Sequence, residues 1–247
     1  MKLRPYLLLL ACLLPVCHAA ERLTLAVEDD WYPFAAVHNG KIVGMAVEIV
    51  REAYRAVGVE VLFRSMPYAR CMRQTELGRE VGCFNSLQDS STRDRFLFGQ
   101  QPLFHGAITI YAQSGKSQPV TLADLAGKRV GLTNGYTYGT EVETDRRMIK
   151  EYARNDLASL RKLALGRLDY ALVYTRVADY LQGAYSYELY GKLQVVGKVI
   201  ENPLYLSFSR TNLRAESALR QLDQGLSMIR SNGRYAAITT RWSRPPL

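Results

Sequence analysis

The sequence predicts an α/β protein of two lobes, each an open and mostly parallel sheet flanked by helices. Three observations lead there. Strand and helix signals alternate from Leu23 onward, turn-forming residues at 113–119 interrupt the alternation, and the tail after Asn202-Pro203 carries helices with too few strands to fold alone.

Leu23–Val27 is a short apolar strand. Residues 45–57 set Ala46, Ile49, Val50, Ala53 and Val57 at helical spacing, and Val59–Phe63 is strand-like again, which completes a βαβ unit. A second helix is predicted over 67–77 and strands over 81–85 and 107–112, with Gly58 and Gly78 placed to end the two helices. Beyond the linker, Thr121–Asp124 reads as a helix start, 128–132 as a strand, 140–152 and 156–166 as helices, 169–173 as a strand and 175–182 as a helix. Leu193–Val196 closes that series; Leu204–Phe208 is a further strand, and 212–230 and 234–242 are helical. The tail returns most economically to the first lobe. Lobe 1 is therefore expected to comprise 21–112 and 203–247, and lobe 2 113–202, with two crossings that suit hinge closure around a cleft.

The N-terminus reads as a secretory signal peptide over 1–19: Lys2 and Arg4 precede an apolar run from Tyr6 to Val16, and Ala19 and Ala20 supply small residues for cleavage. The run is shorter than the about 20 residues that span a bilayer. A lipoprotein reading at Leu9-Leu-Ala-Cys12 is the alternative. The mature chain is expected to be exported and not membrane-embedded. The full chain's 32 Lys and Arg, 30 once Lys2 and Arg4 leave with the signal peptide, against 23 Asp and Glu are dispersed rather than clustered, which argues against a nucleic-acid partner. Cys71 and Cys83 remain after cleavage; an exported chain with an even pair suggests one disulfide, although two buried thiols would also pack. His38 and His105 lack ligand spacing to either Cys, so neither a metal nor a cofactor is expected.

Several motifs fall in one order. Asp29-Asp-Trp-Tyr-Pro-Phe34 leads into Gly44-Met-Ala-Val-Glu48, then Arg93 and Phe98-Gly-Gln-Gln-Pro-Leu103; Thr121–Gly131, Gly135-Tyr-Thr-Tyr-Gly139, Leu165–Asp169 and the tail 229–235 with Arg241-Trp242 follow. Together they resemble the bacterial family 3 extracellular solute-binding proteins, the polar amino-acid receptors of ABC importers. The resemblance implies a periplasmic-binding-protein fold of type II, a periplasmic monomer that binds rather than catalyses, and a partner that is an inner-membrane ABC permease or a membrane sensor.

A ligand carboxylate calls for a guanidinium, whose planar fork binds two oxygens at once. The resemblance places that arginine in Ser90-Ser-Thr-Arg93-Asp-Arg95, where the family's proline is missing; Arg93 fits the distance to Phe98 and Arg95 fits the spacing from Thr92. The loop 133–139 lies between a strand and a predicted helix, so amides at Gly135, Tyr136, Thr137 and Tyr138 are expected to meet an anionic group, with a tyrosine covering it. Trp31, Tyr32 and Phe34 follow the first strand and are expected as the aromatic wall, Asp29 beside them; Tyr68 and Arg70 begin the second helix, and Asn85 and Ser86 end a strand. Glu48 reads as structural.

One departure stands out. The family usually carries an aspartate for the ligand's ammonium where this chain has Tyr174. Glu28, Asp29 and Asp30 are the nearest substitutes, unless the ligand is not an ordinary α-amino acid. Nine tyrosines from Tyr136 to Tyr190 favour a ligand with an apolar or aromatic portion. The alternative function is a periplasmic enzyme resembling a cyclohexadienyl dehydratase, with Glu141 or Glu143 as the acid.

Overall fold

The computed structural model describes residues 21–115 and 119–243. The expected signal peptide lies outside the described residues.

The first lobe opens with β1 (Glu21–Glu28), followed by a small antiparallel sheet of β2 (Asp30–Trp31), β3 (Ala35–His38) and β4 (Lys41–Val43). Then come α1 (Met45–Ala56), β5 (Val59–Met66), α2 (Tyr68–Glu76), β6 (Gly82–Leu87) and β7 (Phe96–Phe98). β8 (Phe104–Gln113) leads into the second lobe, which holds a short 3-10 helix at Leu122–Leu125, β9 (Arg129–Thr133), α3 (Thr140–Thr144), β10 (Ile149–Ala153), α4 (Asp156–Ala164), β11 (Tyr170–Tyr174), α5 (Thr175–Ala184) and α6 (Ser186–Leu189). β12 (Leu193–Ser209), α7 (Ala215–Ser231) and α8 (Arg234–Arg241) complete the chain.

The strands run β10-β9-β11-β8-β12-β6-β1-β5, with β7 on β12. β1 pairs in parallel with β5 and β6 at one end, and β9 with β10 and β11 at the other. Between them lie two long antiparallel strands: β8 pairs with β11 through Ile108–Tyr111 and with β12 from Gln113 to Phe104, after which β12 continues onto β6 and β7. The two lobes are thus joined through β8 and β12, and the sheet passes from one lobe to the other inside these strands.

Two expectations about elements are corrected. The helix predicted over 140–152 stops at Thr144, and 149–153 is the edge strand β10. Asp145 ends the helix by accepting the Arg147 amide at 2.7 Å, a local side-chain bond that competes with helical pairing. The strands predicted at 193–196 and 204–208 are one continuous strand. Pro203 signalled a break because it has no N–H to give a ladder; in the structure it pairs with His105 just before β12 passes onto β6.

The core of lobe 1 follows from helix periodicity. α1 buries Met45, Ala46, Val47, Ile49, Val50, Ala53 and Tyr54, and α7 lies against it. Gly225 makes that approach possible, since a Cβ there would stand 2.0 Å from the Ala53 carbonyl oxygen. The helices of the tail thus pack on α1. Cys71 of α2 and Cys83 of β6 are disulfide-bonded, which ties the helix carrying Tyr68 to the strand carrying Asn85.

Candidate functional site

The lobes meet along a cleft bridged by side chains from both. The Asn155 Nδ2 donates to Asp30 Oδ2 at 2.6 Å, the Tyr136 hydroxyl donates to Glu28, and the Ser90 and Thr140 hydroxyls stand 3.4 Å apart. Inside this closed arrangement the cleft has two parts of different character.

The inner part is an aromatic box lined by Glu28, Trp31, Tyr68, Asn85, Leu87, Tyr136, Thr137 and Tyr174, and the space left within it is about 10 Å³. Glu28 ends β1, Trp31 ends β2, Tyr68 opens α2 and Tyr174 ends β11, so the box gathers the ends of elements from both lobes. Tyr136 stands edge-on to Tyr68 at 5.1 Å and to Trp31 at 6.3 Å, and Tyr174 edge-on to Trp31 at 4.9 Å, the geometry that ring quadrupoles favour. The Tyr68 hydroxyl donates to Ser86 Oγ at 3.2 Å, and Ser86 faces Met72.

Burial raises the Glu28 carboxyl well above the usual range; the Tyr136 hydroxyl opposes that shift, and the charges of Asp156, Asp30 and Asp29 add to it. Asp156 opens α4 and accepts from the Thr133 hydroxyl at 2.5 Å; burial lifts it to about 7. Asn85 is buried, and neither of its amide atoms has a hydrogen-bond partner among the described residues.

The outer part is a groove of about 430 Å³, lined by Leu87, Gln88, Asp89 and Arg93, by Leu122 and Tyr138–Glu141, and by Val199, Ile200, Asn202, Pro203 and Tyr205 of β12. Here the two candidate arginines part company. Arg95 is locked to Glu76 by two bonds of 2.8 and 2.9 Å, which hold the Glu76 carboxyl down at about 2. Arg93 lines the groove, and its guanidinium has no hydrogen bond or ion pair among the described residues. Asp89 Oδ1 accepts from the Ser91 amide and hydroxyl and from Thr92, whereas its buried Oδ2 has no partner among the described residues.

The other named residues divide. The loop 133–139 is not an open row of amides: Asn134 donates to Ala153, Tyr136 to Thr133, and Tyr138 to the Glu143 carboxylate at 2.9 Å, while the buried Tyr138 hydroxyl accepts from the Thr133 amide. The chain's own carboxylate thus takes a position where an anionic ligand group was expected. Phe34 is core, stacked on Phe104 at 4.5 Å, and Tyr32 turns to Tyr180 and Trp242 in a separate pocket. Arg70 is exposed on α2, Asp29 is half-buried outside both parts of the cleft, and Glu48 holds Trp242 Nε1 at 2.8 Å and Arg241 at 2.6 Å. The tyrosine count misleads, because Tyr152, Tyr185, Tyr187 and Tyr190 are exposed on the surface of lobe 2. Asp89 and Asn202 escaped sequence reading; the Asp-Ser-Ser-Thr run at 89–92 was the available signal for the first, as a side-chain-capped turn.

No helix among the described residues is long and apolar enough to cross a membrane, and no cluster of His, Cys, Asp and Glu among them has the makings of a metal site.

The sequence profile of bacterial extracellular solute-binding proteins, family 3, matches residues 23–245. The chain is 21% identical over 229 residues to the ABC transporter arginine-binding protein 1 of Escherichia coli K12, covering 91% of each chain. Its fold is shared with an ancestral arginine-binding protein bound to arginine (TM-score 0.77, 21% identity, 91% of this chain and 99% of that one) and with a histidine kinase sensor domain similar to periplasmic binding proteins (TM-score 0.77, 22% identity, 90% and 96%). With the profile spanning both lobes and the cleft between them, the chain belongs to the bacterial extracellular solute-binding proteins of family 3.

Proposed function

We propose that this protein is exported through a cleaved signal peptide and captures a small carboxylate-bearing solute, an amino acid or a derivative of one, between its lobes without chemical turnover. The observation that carries the reading is Arg93: a guanidinium with no partner among the described residues, on the wall of a groove large enough for such a solute. A free guanidinium beside a ligand-sized groove is matched to a carboxylate. Asp89, which lines the same groove and whose buried Oδ2 has no partner among the described residues, supplies the charge for an ammonium that Tyr174 cannot. The lobe boundary lies within β8 and β12, and these strands act as the hinge.

The partner is an ABC permease, by analogy with the relatives named for ABC transporters, or a membrane sensor, by analogy with the kinase sensor domain of the same fold. Thermal-shift screening of the mature chain with amino acids, opines and small carboxylates tests the reading. A ligand at a hundredfold excess over Kd adds about 2.7 kcal/mol of stability. One chemically coherent group of hits is the expected result, and silence across the carboxylate panel would overturn it. Incubation with prephenate or arogenate is expected to leave both unchanged; conversion would restore the dehydratase reading, with Glu143, whose carboxyl burial raises, as the first acid to test.

A further inference from the structure

The inner box looks like a ligand site with its occupant already in place. Tyr136 comes from the lobe 2 loop, yet its ring lies among Trp31 and Tyr68 of lobe 1 and its hydroxyl meets Glu28 at the end of β1. The loop is shaped for this insertion. Gly135 has φ +82°, in the left-handed region that favours glycine, and a Cβ there would stand 2.7 Å from the Ala69 Cβ of α2. Only a residue without a side chain lets the loop come down on α2 far enough to drive the next ring into the box.

Without that ring, the box would be an aromatic enclosure with a buried carboxylate at one end and an amide along its wall. That chemistry complements an organic cation bearing several N–H donors: aromatic faces attract the charge, and the carboxylate accepts its hydrogens. The tyrosine hydroxyl offers Glu28 one donor and leaves Asn85 with both amide atoms unpaired among the described residues. Buried amides are nearly always satisfied in a completed site, so Tyr136 fills this one without completing it.

We infer that Tyr136 is an intramolecular plug that sets specificity: it denies the inner box to a guanidinium or ammonium side chain and confines the ligand to the Arg93 groove. The inference rests on the proposed receptor function and refines it. Solutes with a compact body near the carboxylate are admitted, whereas those with a long cationic side chain meet Tyr136 where that side chain would go.

Calorimetric titration of the mature protein with L-arginine and with L-citrulline, its neutral near-isostere, tests this. Tyr136→Ala is expected to raise arginine affinity at least tenfold over the wild type and to leave citrulline unimproved. Adding Glu28→Gln should erase the gain. Tyr136→Phe, which keeps the ring and the packing of the loop, should bind arginine no better than the wild type. The plug is overturned if the wild type binds arginine as tightly as Tyr136→Ala, if citrulline gains equally, or if Tyr136→Phe gains as much as Tyr136→Ala. Should Tyr136→Ala fail to fold, the wild type and Tyr136→Phe still decide: tight arginine binding by either sinks the inference. A wild type that responds to no carboxylate solute sinks the receptor reading instead, which keeps the two failures apart.

Discussion

The inner box and the outer groove share one cleft and face opposite problems. The box is closed and aromatic, with Glu28 buried in its wall, Asp156 buried behind it on Thr133, and an internal side chain in residence. The groove is open and carries both signs of charge, with the Arg93 guanidinium and the buried Asp89 Oδ2 without a partner among the described residues, while Asp89 Oδ1 is held by Ser91 and Thr92. The difference teaches where guest recognition and self-recognition lie. Tyr136 and Glu28 meet within the chain and stabilise the closed molecule, although Asn85 beside them stays unpaired among the described residues; on the proposed reading, the Arg93 guanidinium at the open groove is what meets a guest from outside.

If the box holds protonated carboxyls, its stability is set by pH, and this is the largest effect expected. Asp156 is lifted from near 4 in an unfolded chain to about 7 by burial, and Glu28 is raised by the same cause. A raised carboxyl binds protons more tightly in the folded state, so its contribution is intact below about pH 4 and is lost as pH rises toward 7. From Asp156 alone the loss is at most about 4 kcal/mol. Denaturant melts between pH 4.5 and 8 should therefore show stability falling, and Asp156→Asn should flatten the slope. A profile that rises over this range would mean the box is ionised and the contrast with the groove is false.

The disulfide sharpens the comparison next, since it braces the box and not the groove. Cys71 and Cys83 lie 12 residues apart and join the elements that carry Tyr68 and Asn85. Replacing both with Ala is expected to lower the unfolding free energy by about 3 kcal/mol on loop-entropy grounds. Tyr68 and Asn85 should then show faster amide exchange than residues of β12 lining the groove; equal changes in both would show that the brace is not local.

How far the sequence reveals all this depends on the range of the interactions. Periodicity showed α1, α4, α5 and α7 because each buries one face regardless of its neighbours, and the scarcity of strands in the tail pointed to packing on earlier elements, which α7 finds on α1. β10 was hidden because Glu151 and Lys150 within it suit a helix as well, and the choice was made by pairing with β9. Trp31, Tyr68, Asn85, Tyr136 and Tyr174 are named by sequence reading and meet in the box. What no local pattern carries is orientation: Phe34 turns into the core, Tyr32 outward to Tyr180, and Tyr136 across the cleft, each by contacts with residues distant in the chain.

On the groove side, Arg93→Ala isolates the proposed carboxylate contact. A charge-assisted pair contributes roughly 1.5–3 kcal/mol, so ligand affinity should fall by about 10- to 150-fold, and the ligand's thermal shift should shrink with it. Melting of the unliganded protein should hardly change, because the Arg93 guanidinium bonds nothing among the described residues and its backbone bonds to Asp89 and Arg210 survive the substitution. Unchanged affinity would remove Arg93 from the site.

Arg95→Ala is the counterpart with the smallest effect. Arg95 lies two residues from Arg93 and is the alternative candidate on spacing, yet it is paired with Glu76, itself also held by Arg73 at 3.1 Å. Both partners are partly exposed, and exposed pairs contribute about 0–1 kcal/mol, so the melt should move by about that and ligand affinity by nothing. The Glu76 carboxyl, held near 2, favours the folded state above the unfolded value of about 4 and loses that contribution as pH falls through 2, so the small stability difference between Arg95→Ala and the wild type should vanish in acid. A ligand response that follows Arg95 instead of Arg93 would reverse the two roles: the paired arginine would have to leave Glu76 to meet the guest, and a group satisfied within the chain would be the one that recognises it.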